Sequence, residues 1–86
     1  MKEVHFSFRG KIYSGLMASS TEEYPHFYWC FIDDPALVKG LGDCVSFQKD
    51  REGPLRPSEF YPKEYGELVE NIKALVEQSF APTAPA

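Results

Sequence analysis

The chain has 86 residues, of which 43% are hydrophobic and 26% charged, with a formal net charge of −4 and a pI near 5.0. This composition is too apolar for a disordered chain, and its length allows one modest core, so we predict a single domain over residues 1–80. The negative charge opposes binding to nucleic acid, which needs a positive groove, and to anionic membranes. No stretch reaches the ~18 apolar residues of a membrane span and no secretory signal begins the chain, so we predict a cytoplasmic protein without a membrane partner.

The first elements are two predicted strands. Residues 3–9 alternate between polar and apolar side chains, and residues 11–18 resume the alternation after Gly10. A glycine between two such segments indicates a tight hairpin. The register stays open. A two-residue loop places Phe6 opposite Tyr13, whereas a three-residue loop places Phe6 opposite Ile12 or Ser14, so that the side chains of the second strand change faces.

The most apolar run of the chain is the predicted central strand at residues 26–32, which follows a polar loop over residues 19–25 that ends in proline. Alternate side chains of a strand point to opposite faces. One row therefore holds Phe27, Trp29 and Phe31, and the other holds His26, Tyr28, Cys30 and Ile32. Because both rows are apolar, this strand needs a covering layer on each face.

Three short elements follow the central strand. Residues 34–39 begin with an N-capping aspartate and a proline at the first helical position, so we predict one helical turn that ends at Gly40. Residues 44–48 alternate as a fourth strand. Residues 54–57 contain two prolines, which restrict them to an edge strand.

From Pro62 the apolar period changes from two to 3.6, which predicts an amphipathic helix of about sixteen residues. Its apolar side is formed by Tyr65, Leu68, Val69, Ile72, Leu75, Val76 and Phe80. We expect Leu68, Val69, Ile72 and Val76 to lie in the core. Residues 81–86 are only alanine, proline and threonine, and we predict a disordered Ala/Pro tail there.

These elements predict an α+β fold, a mainly antiparallel sheet of four or five strands with the C-terminal amphipathic helix on one face. The alternative is a sheet curled into an SH3-like barrel, with the same helix. A helix ~10 Å in diameter covers about two strands spaced ~4.8 Å apart, so part of an open sheet stays uncovered. The sheet must then close on itself, bind a second copy or present its aromatic rings to a ligand.

The sequence offers little for catalysis or metal binding. A metal site built from His26, Cys30 and Cys44 would need Asp33 or Asp43 as a fourth ligand, and the spacing matches no zinc motif. Cys30 lies in mid-strand, away from the helix N-termini and cations that activate thiols, so we expect both cysteines to be packed free thiols. We predict no enzymatic activity, no metal and no cofactor.

The functional hypothesis is a non-enzymatic protein–protein interaction module that self-associates through an aromatic sheet face. We expect a homodimer, or a complex with another protein. The candidate interaction surface consists of His26, Tyr28, Trp29, Tyr13 and Met17. The alternatives are a small-ligand or sugar-binding domain that uses the same aromatic residues, and an acidic inhibitor of a basic partner.

Overall fold

The computed structural model describes residues 1–80 and contains an antiparallel sheet followed by a C-terminal helix. Its elements are β1 (Lys2–Phe8), β2 (Lys11–Ser20), β3 (His26–Ile32), α1 (Pro35–Leu41), β4 (Cys44–Lys49), β5 (Leu55–Pro57), a 3₁₀ turn (Lys63–Tyr65) and α2 (Gly66–Phe80). The predicted α+β fold is thereby confirmed. The prediction of a disordered tail at residues 81–86 lies outside the described residues.

The five strands follow one another in the order β1-β2-β3-β4-β5, and each neighbouring pair is antiparallel. Strands β1 and β5 form the two edges, so the sheet is open and the alternative of a closed barrel is wrong. As predicted, the proline-containing segment is an edge strand, because proline lacks the N–H that an inner strand must donate. No helix among residues 1–80 is both long and apolar enough to cross a membrane.

The turn between β1 and β2 has two residues, Arg9 and Gly10, with φ angles of 52° and 75°. Positive φ at both central positions is typical of a type I′ turn, whose twist matches that of the flanking strands. This turn pairs Phe6 with Tyr13 and settles the register that the sequence left open. The Arg9 guanidinium also donates to the backbone carbonyl of Glu64, 3.3 Å away, and so joins the turn to the segment that precedes α2.

The core lies between α2 and one face of the sheet, which we call the covered face. Its buried sheet residues are Val4, Phe6, Phe8, Met17, Tyr28, Cys30, Ile32, Val45, Phe47 and Leu55. Leu68, Val69, Ile72 and Val76 of α2 are at most 5% exposed, which confirms their predicted place in the core. Because α2 contacts both edge strands, β1 and β5, it crosses the whole covered face. The opposite face, which no helix within residues 1–80 covers, is the open face.

Helix α1 begins as predicted but ends later. The Asp34 carboxylate accepts hydrogen bonds from the backbone N–H groups of Ala36 and Leu37 at 3.0 and 3.1 Å, which satisfies two donors of the first turn. The helix continues through Gly40 and is capped at Gly42, whose φ is 99°. The predicted end at Gly40 is therefore wrong. Gly40 has a different role, because the hydroxyl of Tyr65 occupies the place that a Cβ would take, so a larger residue would displace the Tyr65 side chain.

Candidate functional site

The central strand β3 divides its two apolar rows between the two faces of the sheet. The row that contains Tyr28 and Cys30 lies on the covered face, where these residues are 5% and 0% exposed. The row of Phe27, Trp29 and Phe31 points to the open face, and no element of the described residues packs over it as α2 does over the other row. The structure thus settles which row the helix covers, a question that the sequence left open.

An apolar stripe follows β3 across the middle of the open face. We define the apolar stripe as Leu16, Ala18, Phe27, Trp29 and Phe31. The sheet register pairs Leu16 with Phe31 and Ala18 with Trp29, so the members of the stripe on β2 and β3 lie side by side. Leu16 is 44% exposed and Phe31 39%, while the other three are half-buried. The rings of Phe27 and Trp29 stack with their centroids 6.1 Å apart.

Polar side chains border the apolar stripe on both sides. On the open face, this border consists of Glu3, His5 and Ser7 on β1 and of Ser46, Gln48 and Arg56 on β4 and β5. Some of these groups already pair with neighbours, since Arg56 lies 3.2 Å from the Asp50 carboxylate and the hydroxyls of Ser46 and Ser58 are 2.5 Å apart. An apolar centre with a polar rim is the usual anatomy of a protein–protein interface.

A second candidate site lies on the covered face, where one end of the sheet meets the C-terminal half of α2. This site, which we call the cleft, has a volume of about 630 Å³. Its lining residues include Tyr24, His26, Tyr28, Lys49, Lys73 and Val76. The loop before β3, the ends of β3 and β4, and α2 each contribute a wall.

The cleft contains a stacked pair of rings. Tyr24 and His26 are 9° from parallel, with ring centroids 4.0 Å apart. The Arg51 guanidinium carbon lies 4.9 Å and the Lys49 Nζ 5.9 Å from the Tyr24 centroid, within the range of cation–π attraction. The pair is therefore held in place by its own stacking and by two neighbouring cations.

The five residues of the candidate interaction surface do not form one surface in this structure. Trp29 is on the open face, whereas His26 and Tyr28 line the cleft on the other side of the sheet. Tyr13 is half-buried on the covered face, where its ring stacks on Phe6, and Met17 is 0% exposed in the core. Only Trp29 is available to a partner that binds the open face.

Sequence reasoning missed four of the five members of the apolar stripe, all except Trp29. Leu16 and Ala18 share a face with Trp29 only because of the β2–β3 register, and Phe27 and Phe31 are its neighbours at a spacing of two. The period-two spacing of the three rings was visible in the sequence. The sequence did not show which row of β3 is exposed, because both rows are apolar.

The two cysteines are free thiols. Burial, with a smaller contribution from Cys44, raises the pKa of Cys30 to about 12. Burial and the nearby carboxylates of Asp43 and Glu59 raise the pKa of Cys44 as well. Both groups are therefore neutral thiols near pH 7, which is the unreactive form. Within residues 1–80, no group of three or more His, Cys, Asp or Glu side chains is placed to hold a metal ion.

The chain matches no family model, and no curated protein or solved structure shows significant similarity to it. The function is therefore inferred from the apolar stripe and the cleft themselves.

Proposed function

We propose that this protein is a non-enzymatic interaction module that forms a homodimer through the open face, with the apolar stripe at the centre of the interface. The observation that carries the proposal is the pair Leu16 and Phe31, which are 44% and 39% exposed although they lie beside two further rings, Phe27 and Trp29. Single exposed apolar residues are common on proteins, but a contiguous patch with a polar rim marks an interaction site.

A second copy of the chain is the partner that fits this face best. The stripe is centred on Trp29, with one phenylalanine at the same distance on each side along β3. A two-fold axis that passes beside Trp29 across the strands would therefore place Phe27 of one copy opposite Phe31 of the other. Two sheets packed in this way lie ~10 Å apart with strand directions within ~30° of each other.

The size of the open face sets the expected strength of the dimer. Five strands ~4.8 Å apart and up to ~23 Å long present roughly 500 Å² of flat area per copy. A standard stable interface buries about 800 Å² per partner. We therefore expect association in the micromolar range.

Sedimentation velocity from about 1 to about 500 µM tests the proposal, because this range spans the expected dissociation constant. The test variant is Leu16→Glu, which places a charge in the middle of the stripe at a position that is already partly exposed in the monomer. The control variant is Ala74→Glu, which adds the same charge at an exposed position of α2, on the other side of the sheet.

The expected result is a concentration-dependent shift from monomer to dimer for the unmodified protein and for Ala74→Glu, and a monomer throughout for Leu16→Glu. Burial of an unpaired carboxylate in a dimer interface costs more than so small an interface gains. Circular dichroism establishes that both variants are folded. A monomer at every concentration of the unmodified protein, or equal dimerisation of the two variants, would contradict the proposal.

A further inference from the structure

We propose that the cleft binds a small ligand with a planar aromatic body and an anionic group, such as an aromatic carboxylate. This site is separate from the proposed dimer interface, because the cleft lies on the covered face and the apolar stripe on the open face. Three properties of the cleft support the inference.

The first property of the cleft is its size combined with an apolar wall. The cleft has a volume of about 630 Å³, which lies within the ~300–1,000 Å³ of typical small-molecule sites. Tyr28, Leu55 and Val76 line it and also belong to the hydrophobic core, so their positions are fixed by packing. A pocket with rigid apolar walls loses little entropy when an apolar ligand enters.

The second property is the stacked pair of Tyr24 and His26. Both residues line the cleft, Tyr24 being 42% exposed and His26 half-buried. Because His26 and two cations already lie against the Tyr24 ring, the flat surface for a ligand is the face of the His26 ring that does not contact Tyr24. A planar aromatic ligand on that face gains stacking energy beyond the area that it buries. A non-planar aliphatic ligand of the same size would not gain this energy.

The third property is the positive charge of the lining in an acidic protein. The lining contains Lys49 and Lys73 against one carboxylate, Glu77, so its formal charge is +1 with His26 neutral, whereas the whole chain carries −4. Within residues 1–80, no carboxylate lies within 4.0 Å of either lysine ammonium. Lys49 Nζ donates to the backbone carbonyl of Asp50, 3.3 Å away, and lies over the Tyr24 ring, whereas Lys73 on α2 forms no ion pair with another residue of this range. The Lys73 ammonium, in a lining of net positive charge, therefore favours an anionic group over a neutral one.

The test is an NMR titration of the ¹⁵N-labelled full chain with naphthalene-2-carboxylate and, in parallel, with the neutral naphthalene-2-carboxamide. The two probes share the planar ring system and differ in charge. We expect saturable shifts of backbone amides at Tyr24, His26, Lys49 and Lys73, and affinity for the carboxylate about threefold to tenfold higher than for the carboxamide.

The variant Lys73→Met separates charge from shape, because methionine keeps a flexible apolar stem and removes the ammonium group. It should lose about threefold to tenfold in affinity for the carboxylate and leave binding of the carboxamide unchanged. Lys39→Met, at an exposed position of α1, is the matched control and should bind both probes like the unmodified protein. Equal affinity for the two probes, shifts confined to Leu16 and Phe31 on the open face, or no saturable binding would each overturn the inference.

Discussion

At the scale of single residues, burial makes Cys30 a pH-sensitive part of the core. The residue is 0% exposed, and burial raises its pKa to about 12, with a smaller contribution from Cys44. In the unfolded chain the same thiol titrates near pH ~8.5. Between these two values the unfolded state binds fewer protons than the folded state, so the free energy of unfolding must fall as the pH rises.

We predict that urea unfolding, measured from about pH 8 to about pH 11, shows this loss, with Cys30 contributing at most ~1.4 kcal/mol per pH unit. In Cys30→Ala the free energy of unfolding should fall less steeply with pH, by up to ~1.4 kcal/mol per pH unit, which corresponds to one proton. The slope should not vanish, because the pKa values of Cys44 and Tyr28 are also raised by burial. Identical slopes for the variant and the unmodified protein would show that Cys30 ionises as easily in the folded state as in the unfolded one.

Single residues also explain why the sequence could not determine which row of β2 is buried. In β2 the row of Tyr13 and Met17 is about as apolar as the row of Ile12 and Leu16, so the pattern alone does not identify the buried row. The choice follows from the hairpin turn, which pairs Tyr13 with Phe6 and thereby carries Met17 into the core. That turn depends on positive φ at Arg9, a conformation that a non-glycine residue seldom adopts and that local sequence does not predict.

At the scale of elements, periodicity predicted the strands and the C-terminal helix, because each depends on many residues, but it did not predict the order of the strands in the sheet. Boundaries that depend on a single contact were less predictable. The end of α1 is an example, since Gly40 stays helical beneath the Tyr65 side chain, which lies 25 positions away in the chain. A contact of this kind is a property of tertiary packing and leaves no local signal in the sequence.

The docking of α2 leads to a prediction about the stability of the whole domain. Ile72 is 0% exposed between α2 and the sheet, so Ile72→Ala removes buried methyl groups and leaves a cavity. The expected loss is about 2–5 kcal/mol in the free energy of unfolding, a large part of the ~5–15 kcal/mol that a domain has. Equilibrium unfolding in urea measures the difference.

The chain provides a matched control for this prediction in Ile12→Ala. Ile12 has the same side chain but is 73% exposed at the start of β2, so its truncation should change the free energy of unfolding by less than about 0.5 kcal/mol. If Ile72→Ala were as mild as Ile12→Ala, the packing of α2 on the covered face would not stabilise the fold.

At the scale of the whole molecule, α2 crosses only one face of the open sheet, which leaves the two faces unequal. The dimensions of the predicted elements already indicated that a single helix could not cover both sides of the sheet. In the structure α2 crosses the covered face from β1 to β5, and the open face presents the three rings of the central strand, Phe27, Trp29 and Phe31. The cleft and the apolar stripe therefore lie on opposite sides, and occupation of one leaves the other free.

This arrangement links the proposed dimer to thermal stability. A partner that binds only the folded state stabilises it by mass action, so the melting temperature of a weak homodimer rises with protein concentration. For a dissociation constant in the micromolar range, a hundredfold increase in concentration should add about 1 kcal/mol per protomer, or about 4–8 °C for a domain of this size.

Differential scanning calorimetry at about 5 and about 500 µM measures this effect. The unmodified protein and Ala74→Glu should melt at a higher temperature in the concentrated sample, whereas Leu16→Glu should melt at the same temperature in both. The comparison uses each protein as its own reference, so a change in monomer stability caused by the substitution does not affect it. A melting temperature independent of concentration in all three proteins would mean that the apolar stripe stays exposed to solvent, and that its rings do not bring two copies together.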